Sequence, residues 1–499
     1  MKDIELIRQE LQKKLDDQKD PRERNLMGQY ATPFRLASQI CTKINAFFKG
    51  SIDSFLEPSI GTGVFYSALN KIAGIKKAVG YEIDTHYYEP AKELWKNNDL
   101  KLINEDFLEA CPESGFSLII ANPPYSRHHH IPKEKKEKYH KRIKADYGLS
   151  VSGLSGLYCY FMILSTEWLK KDGLSCWLVP SEFLYVNYGK EIKKFLLENV
   201  DLISIHSFDS DDVQFDDALV SSSIVIFRNT PPHNDEISFT WGNDINNPSK
   251  TLSVRRSSLD YSEKWNESYL CGSGNRKPVC TIDSFFTIRR GIATGDNSFF
   301  IVDQHTIDKF DLPRELLVQV IPPPRKLACD RFDRLTATQN PLYLIRSDMP
   351  YDVIRTKYPG YSDYIEEGIK KGVNMRSNCK SRDVWYNCEC RDAAPLLLSY
   401  MGRCNGKVPF RFILNETDAI ATNSYLMIYP KHEFRHHFNN CHTKEKVWEA
   451  LRSISSEELM EHGRSYGGGL YKLEPKELAS VPCPQLASIL TSSAPSLFD

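Results

Sequence analysis

Leu118-Ile119-Ile120-Ala121-Asn122-Pro123-Pro124-Tyr125 decides how this chain is read. The apolar run reads as a buried strand. Two prolines then end it, because each lacks an N–H and fixes φ. Asn122 is thereby expected at the carboxyl edge of a sheet, where open α/β sheets bind their ligands. The turn offers the Asn122 amide, the backbone carbonyl of Pro123 and the flat ring of Tyr125. Such groups suit a planar amino group like the exocyclic nitrogen of adenine. The two oxygens accept its hydrogens, and the ring stacks on the base. Taken alone, the tetrapeptide also fits a plain strand-ending turn with a core tyrosine. The flanking segments argue against that.

Upstream lies Ser54-Phe55-Leu56-Glu57-Pro58-Ser59-Ile60-Gly61-Thr62-Gly63-Val64-Phe65. A short strand leads to an acid, a glycine turn and a helix. Gly61 and Gly63 permit unusual φ values and close approach of a ligand to the backbone. A second strand, Ala78-Val79-Gly80-Tyr81, ends in Glu82-Ile83-Asp84. Glu82 follows at about the twenty-residue interval expected of a carboxylate that binds ribose hydroxyls. Leu102-Ile103-Asn104-Glu105-Asp106-Phe107 reads as a third strand end, with an acid for an adenine amino group and an aromatic to cover the base. Strands alternating with helices predict a parallel, doubly wound α/β sheet.

Further toward the N-terminus, Thr32 of Gly28-Gln29-Tyr30-Ala31-Thr32-Pro33 is placed to cap a helix beginning at Pro33. Ile4, Leu6, Ile7, Leu11 and Leu15 mark a short amphipathic helix, and its role is left open between a cap and a partner contact. Downstream, Lys133 to Lys144 is a basic run next to His128-His129-His130. It fits either a solvated face or contact with a polyanion. Adjacent histidines rarely converge on a metal, and none is expected.

More strands are expected at 173–180, 202–206 and 222–227, and a domain boundary near Trp241. Beyond it the chain mixes Gly, Pro, aromatics and positive residues, among them Arg289, Arg290, Arg376, Arg382, Trp385 and Arg411. Such interleaving can track phosphates and contact bases. Asn415 and Asn423 are also suited to adenine edges.

At 499 residues the chain is too long for one ordinary core. Net charge is −1, so any nucleic-acid binding must use a local basic surface. No stretch is apolar enough to span a bilayer, and the charged start lacks a signal-peptide core. The 13 scattered cysteines read as reduced thiols of a cytoplasmic protein. Cys388-x-Cys390 has no partner pair with zinc spacing.

In order, Tyr30-Ala31-Thr32-Pro33, Glu57 to Gly63, Glu82-Ile83-Asp84, Asp106-Phe107 and Asn122-Pro123-Pro124-Tyr125 resemble the motifs of the gamma-group DNA adenine-N6 methyltransferases of restriction–modification systems, of the TaqI type. The likeness covers the first half residue by residue and the second half in layout, with Arg290-Gly291 and Thr294-Gly295 as its best echo there. The glycine turn departs from the longer Gly-x-Gly-x-Gly form, since Val64 and Phe65 follow Gly63.

The resemblance implies a Rossmann-like, doubly wound S-adenosylmethionine-dependent methyltransferase domain followed by a mixed α+β target recognition domain. The implied limits are an N-terminal helical segment over 1–24, a catalytic domain over 25–240 and a recognition domain over 241–499. S-adenosylmethionine is the implied cofactor, held by Tyr30, Thr32, Glu57, Pro58, Ser59, Gly61, Gly63, Glu82, Ile83, Asp106, Phe107 and Asn122. The implied catalytic residues are Asn122, Pro123, Tyr125 and Phe215, the last facing an extruded base opposite Tyr125. The implied partner is double-stranded DNA with a short recognition sequence, protected against a separately encoded restriction endonuclease. Rival readings are an RNA adenine or protein glutamine methyltransferase, or a catalytically inactive DNA-binding specificity protein. The large basic and aromatic second half argues against the first pair, and the intact Glu57, Gly61, Gly63, Glu82 and Asn122 against the last. The segment before Tyr30 is too short for a nuclease domain.

Overall fold

A computed structural model gives the fold. It describes residues 3–48, 51–113, 115–126, 128–208, 221–272, 280–403, 409–466 and 469–491, so Phe215 lies outside the described residues. The chain divides into two compact units, Met1–Arg276 with Tyr466–Gly468, and Lys277–Ser465 with Gly469–Asp499.

The first unit is built on a nine-stranded sheet. Its strands are β1 (Phe55–Glu57), β2 (Ala78–Tyr81), β3 (Leu100–Ile103), β4 (Phe116–Ala121), β5 (Leu169–Pro180), β6 (Asp201–Ser207), β7 (Ser222–Arg228), β8 (Glu236–Trp241) and β9 (Lys250–Arg255). The spatial order is β9-β8-β6-β7-β5-β4-β1-β2-β3. Strands β3, β2, β1, β4 and β5 run parallel, while β7 is antiparallel to both β5 and β6. The order reverses between β1 and β4, so a crevice opens beyond their carboxyl ends.

Helices cover both faces because side chains alternate along each strand. Phe55, Leu118 and Ile120 pack with α3 (Phe34–Asn45), α4 (Val64–Asn70) and α5 (Thr85–Trp95). Their neighbours Leu56, Ile119 and Ala121 point the other way, into α6 (Lys133–Tyr147), α7 (Leu157–Leu164) and α8 (Lys190–Glu198). Strand β4 is buried throughout and stops at Ala121, just before Asn122 and the two prolines.

Two expectations are corrected. The domain change predicted near Trp241 falls inside the first unit. Here β8 pairs in parallel with β6, Trp241 opposite Ser207, and β9 returns antiparallel along it. The fading of βα alternation marks this added hairpin, since an antiparallel return needs no crossover helix. The N-terminal segment 1–24, whose role the sequence leaves open, packs within this unit. Helix α1 (Ile4–Gln18) docks on the first unit, where Tyr87 donates to Asp16 at 2.8 Å and the His86 ring meets the Leu15 carbonyl at 2.9 Å. Finally, Thr32 caps no helix: α3 begins at Phe34 after Pro33, with no side-chain cap.

The second unit holds a mixed five-stranded sheet and an antiparallel three-stranded sheet. Its Asn415 does not face outward toward a base. It is 2% exposed, donates to the carbonyls of Ala394 and Ala419, and accepts from Thr417, so it braces a turn. Among the described residues, no helix is long and apolar enough to cross a membrane.

Candidate active site at the carboxyl edge of the sheet

The crevice is a cavity of about 450 Å³ within the first unit, in the size range of small-molecule sites. Of the residues singled out in the sequence, Tyr30, Thr32, Glu57, Pro58, Ser59, Gly61, Glu82, Ile83, Asp106, Phe107 and Asn122 line it. Gly63, Pro123 and Tyr125 are outside that lining.

Asn122 is fixed by the segment before α3. Its Nδ2 donates to the Tyr30 carbonyl and to Thr32 Oγ1, both at 3.0 Å. Ser59 Oγ donates to its backbone carbonyl at 3.0 Å. Both amide hydrogens are thus used, which settles which end of the amide is which. Asn122 Oδ1 is buried and accepts no hydrogen bond from the described residues. An unmet buried acceptor is costly. Such cost is characteristic of a site shaped for a ligand.

The turn itself is pressed against Gly28. Tyr125 N donates to the Gly28 carbonyl at 2.9 Å, and Gly28 sits at φ +71° as the left-handed end of α2 (Pro21–Met27). A Cβ there would lie 2.3 Å from the Ser126 nitrogen, so only glycine fits. The Tyr125 ring lies 5.7 Å from that of Tyr30, and its hydroxyl donates to the Leu178 carbonyl at 3.2 Å. That ring is half-buried.

The glycine turn is held from both sides. Glu82 Oε2 accepts from the Gly61 N–H at 2.9 Å, and Oε1 from the Asp84 N–H at 2.8 Å. Burial pushes the Glu82 carboxyl up to about 7. Gly63 takes φ +87°, and a Cβ on it would meet Trp95 Nε1 at 2.8 Å, the atom that donates to the Thr62 carbonyl at 2.9 Å. Glu57 is 1% exposed, with Oε2 unmatched by any described residue. Burial drives its carboxyl well above the usual carboxylate range, countered in part by a hydrogen bond from the Tyr66 backbone and by the charge of Arg8.

Asp106 accepts from the Leu108 N–H at 3.1 Å and pairs with Lys135 at 2.6 Å. Phe107 is 3% exposed, its ring stacked 5.7 Å from Phe161 and tilted 4.9 Å from Trp168. Ile83 instead projects 55% exposed.

Several lining residues were not foreseen, including Arg8, Gln12, Asp16, His130 and Lys135. A signal for the first three existed. Glu5, Arg8, Gln12 and Asp16 recur at helical spacing on one polar face, which the apolar pattern of the same helix overshadowed.

Comparison with known proteins agrees with this architecture. Residues 56–214 match the Eco57I restriction-modification methylase family, and residues 272–498 match the C-terminal domain of the type II methyltransferase M.Eco57I. The chain is 25% identical over 480 residues to the type II methyltransferase M.AccI of Acinetobacter calcoaceticus, covering 91% of this chain and 85% of that protein. It is 24% identical over 486 residues to M.XamI of Xanthomonas campestris pv. amaranthicola, covering 93% and 86%. Among solved structures, the type IIL restriction-modification enzyme MmeI in complex with DNA has a similar fold, with a TM-score of 0.51 and 13% identity over 93% of this chain and 73% of that one. The two matched regions lie in order along the chain, which is thus similar to type II restriction–modification methyltransferases over most of its length.

Proposed function

We propose that this methyltransferase carries a methyl group from S-adenosylmethionine to the N6 nitrogen of a specific adenine in double-stranded DNA, protecting host DNA from a cognate endonuclease. The observation that carries this reading is Asn122, whose two amide hydrogens are used while its buried Oδ1 is left as an acceptor. An acceptor fixed in this way selects a substrate that donates N–H, as an exocyclic amino group does.

The cavity fits the cofactor. Glu82 keeps lone pairs for ribose hydroxyls, Asp106 with Phe107 offers an acceptor beside an aromatic face, and Glu57 Oε2 awaits a donor such as an ammonium. When bound, S-adenosylmethionine supplies an electrophilic methyl on a sulfonium. Asn122 Oδ1 and the Pro123 carbonyl accept from the adenine amino group, drawing its lone pair out of conjugation. Tyr30 and Thr32 hold the amide so that this costs little reorganisation. Orientation in line with the methyl supplies much of the rate. The base must leave the duplex stack, at a cost of a few kcal/mol. Tyr125 is the stacking surface, which offsets about 1–3 kcal/mol of that cost. The second unit supplies sequence choice and phosphate contacts, through exposed basic residues such as Arg289 and Arg290. A cytoplasmic location follows from this role.

The test is expression in a host that lacks adenine methylation, followed by genome-wide mapping of modified bases. N6-methyladenine at one short sequence supports the reading. Cytosine methylation, or no modified DNA with active cofactor turnover on RNA or protein, refutes it.

A further inference from the structure

Helix α1 buries a charged pair beside its apolar contacts: Glu5 and Arg8 face inward together with Leu15. Leu6 and Ile7 are exposed at 53% and 40%, while Glu5 and Arg8 are 2% and 3% exposed. A buried ion pair rarely adds stability over an apolar pair of the same volume, so packing alone does not account for this arrangement. The pair is bidentate: Arg8 Nε meets Glu5 Oε2 at 2.8 Å and Nη2 meets Oε1 at 2.7 Å. Arg8 Nη1 also donates to Thr62 Oγ1 at 2.9 Å, inside the glycine turn. Thr62 in turn donates to Gln12 Oε1 at 2.7 Å.

These contacts use three of the five N–H groups that a guanidinium carries. Arg8 borders the cavity, as does Glu57, whose buried Oε2 has no partner among the described residues. The other basic side chains lining the cavity, His130 and Lys135, follow the Asn122 turn in the chain, and Lys135 is engaged by Asp106. A guanidinium and an unmatched carboxyl group on one cavity wall complement an α-amino acid, with its carboxylate and its ammonium.

We propose that Arg8 binds the α-carboxylate at the amino-acid end of S-adenosylmethionine, which makes helix α1 part of the cofactor site; this rests on the cofactor assignment above. The experiment is calorimetric titration of the full-length protein with three adenosine compounds. These are S-adenosylhomocysteine, its decarboxylated analogue lacking only the carboxylate, and 5′-methylthioadenosine, which lacks the whole amino-acid end. The wild type is expected to bind the decarboxylated analogue at least tenfold more weakly than S-adenosylhomocysteine. In a Glu5→Gln/Arg8→Gln double variant, which removes both members of the ion pair together, that preference should shrink to within twofold. Its affinity for 5′-methylthioadenosine should stay at the wild-type value. Arg8→Lys should retain part of the preference. Equal binding of the first two ligands by the wild type overturns the proposal, as does a tenfold preference surviving in the double variant. If the double variant does not fold, the wild-type comparison and Arg8→Lys decide. Should none of the three compounds bind the wild type, the cofactor assignment itself falls, and Arg8 with it.

Discussion

Thr32 Oγ1 accepts a hydrogen bond from Asn122 Nδ2 at 3.0 Å across 90 residues of chain. That bond, with its twin to the Tyr30 carbonyl, makes the orientation of the amide a property of the fold. Thr32→Val keeps the shape and removes the acceptor. With a net hydrogen-bond value of about 1 kcal/mol, turnover should fall about fivefold, with cofactor affinity unchanged and Thr32→Ser close to wild type. Single-turnover methylation alongside cofactor titration checks this. Equal losses in Thr32→Val and Thr32→Ser would falsify the orienting role.

Asn122→Ala removes the acceptor itself. Its interaction strengthens as the amino nitrogen becomes pyramidal, so turnover should drop by about a hundredfold or more while DNA affinity holds. A gel-shift titration and a rate measurement on the same preparation separate the two. A wild-type rate in this variant would remove the central element of the mechanism.

Tyr125 should divide into ring and hydroxyl effects. Tyr125→Ala loses the stacking surface and the neighbour of Tyr30. It should impair methylation of a paired adenine more than of one opposite a mismatch, where extrusion is cheaper. Tyr125→Phe keeps the ring and gives up hydroxyl contacts such as the bond to Leu178, each worth about 1 kcal/mol of stability. Fluorescence of 2-aminopurine at the target position reports the extruded population. Equal damage in the two variants counts against stacking.

Gly28 was not marked by its sequence as part of the site, yet it carries a strict requirement. Gly28→Ala must tolerate φ +71° and a Cβ 2.3 Å from the Ser126 nitrogen. The strain alone costs about 1–2 kcal/mol, and the clash displaces the Asn122 turn. Thermal melting should fall, and turnover should drop at least tenfold in whatever fraction remains folded. An alanine variant as active as wild type contradicts the close packing described above.

Glu82 gives a pH dependence. Its carboxyl rises from an ordinary 4.5 to about 7 because it is buried. The folded protein therefore keeps a proton that the unfolded chain has released. From this group, stability is highest below about pH 4.5 and declines as pH rises toward 7. Cofactor binding should run the other way, because ribose hydroxyls donate best to the ionised carboxylate. Affinity for S-adenosylhomocysteine should tighten as pH rises through about 7 in the wild type, and Glu82→Gln should be weaker and lack that dependence. A pH dependence persisting in Glu82→Gln would assign it to another group.

By itself, the sequence determined the parallel part of the sheet and where its strands end. Short apolar strands closed by Glu57, Glu82 and Asn122-Pro123-Pro124 carry their own stop signals, because proline and glycine act through local backbone geometry. The continuous apolar run of Leu118 to Ala121 likewise reads as a strand buried on both faces, and Leu118 and Ile119 do pack on opposite sides of it. Only the tertiary structure decided what crosses between segments distant in the chain. Thr32 looked like a helix cap and became the partner of Asn122, since a hydroxyl bonds whatever the fold brings to it. Helix α1 was legible as amphipathic with its role open, and the fold buries Glu5 and Arg8 beside Leu15, because Thr62 and the cavity lie on that side. The end of the first unit, 35 residues past Trp241 at Arg276, depended on β8 pairing with β6, a non-local hydrogen-bond ladder that no local pattern encodes.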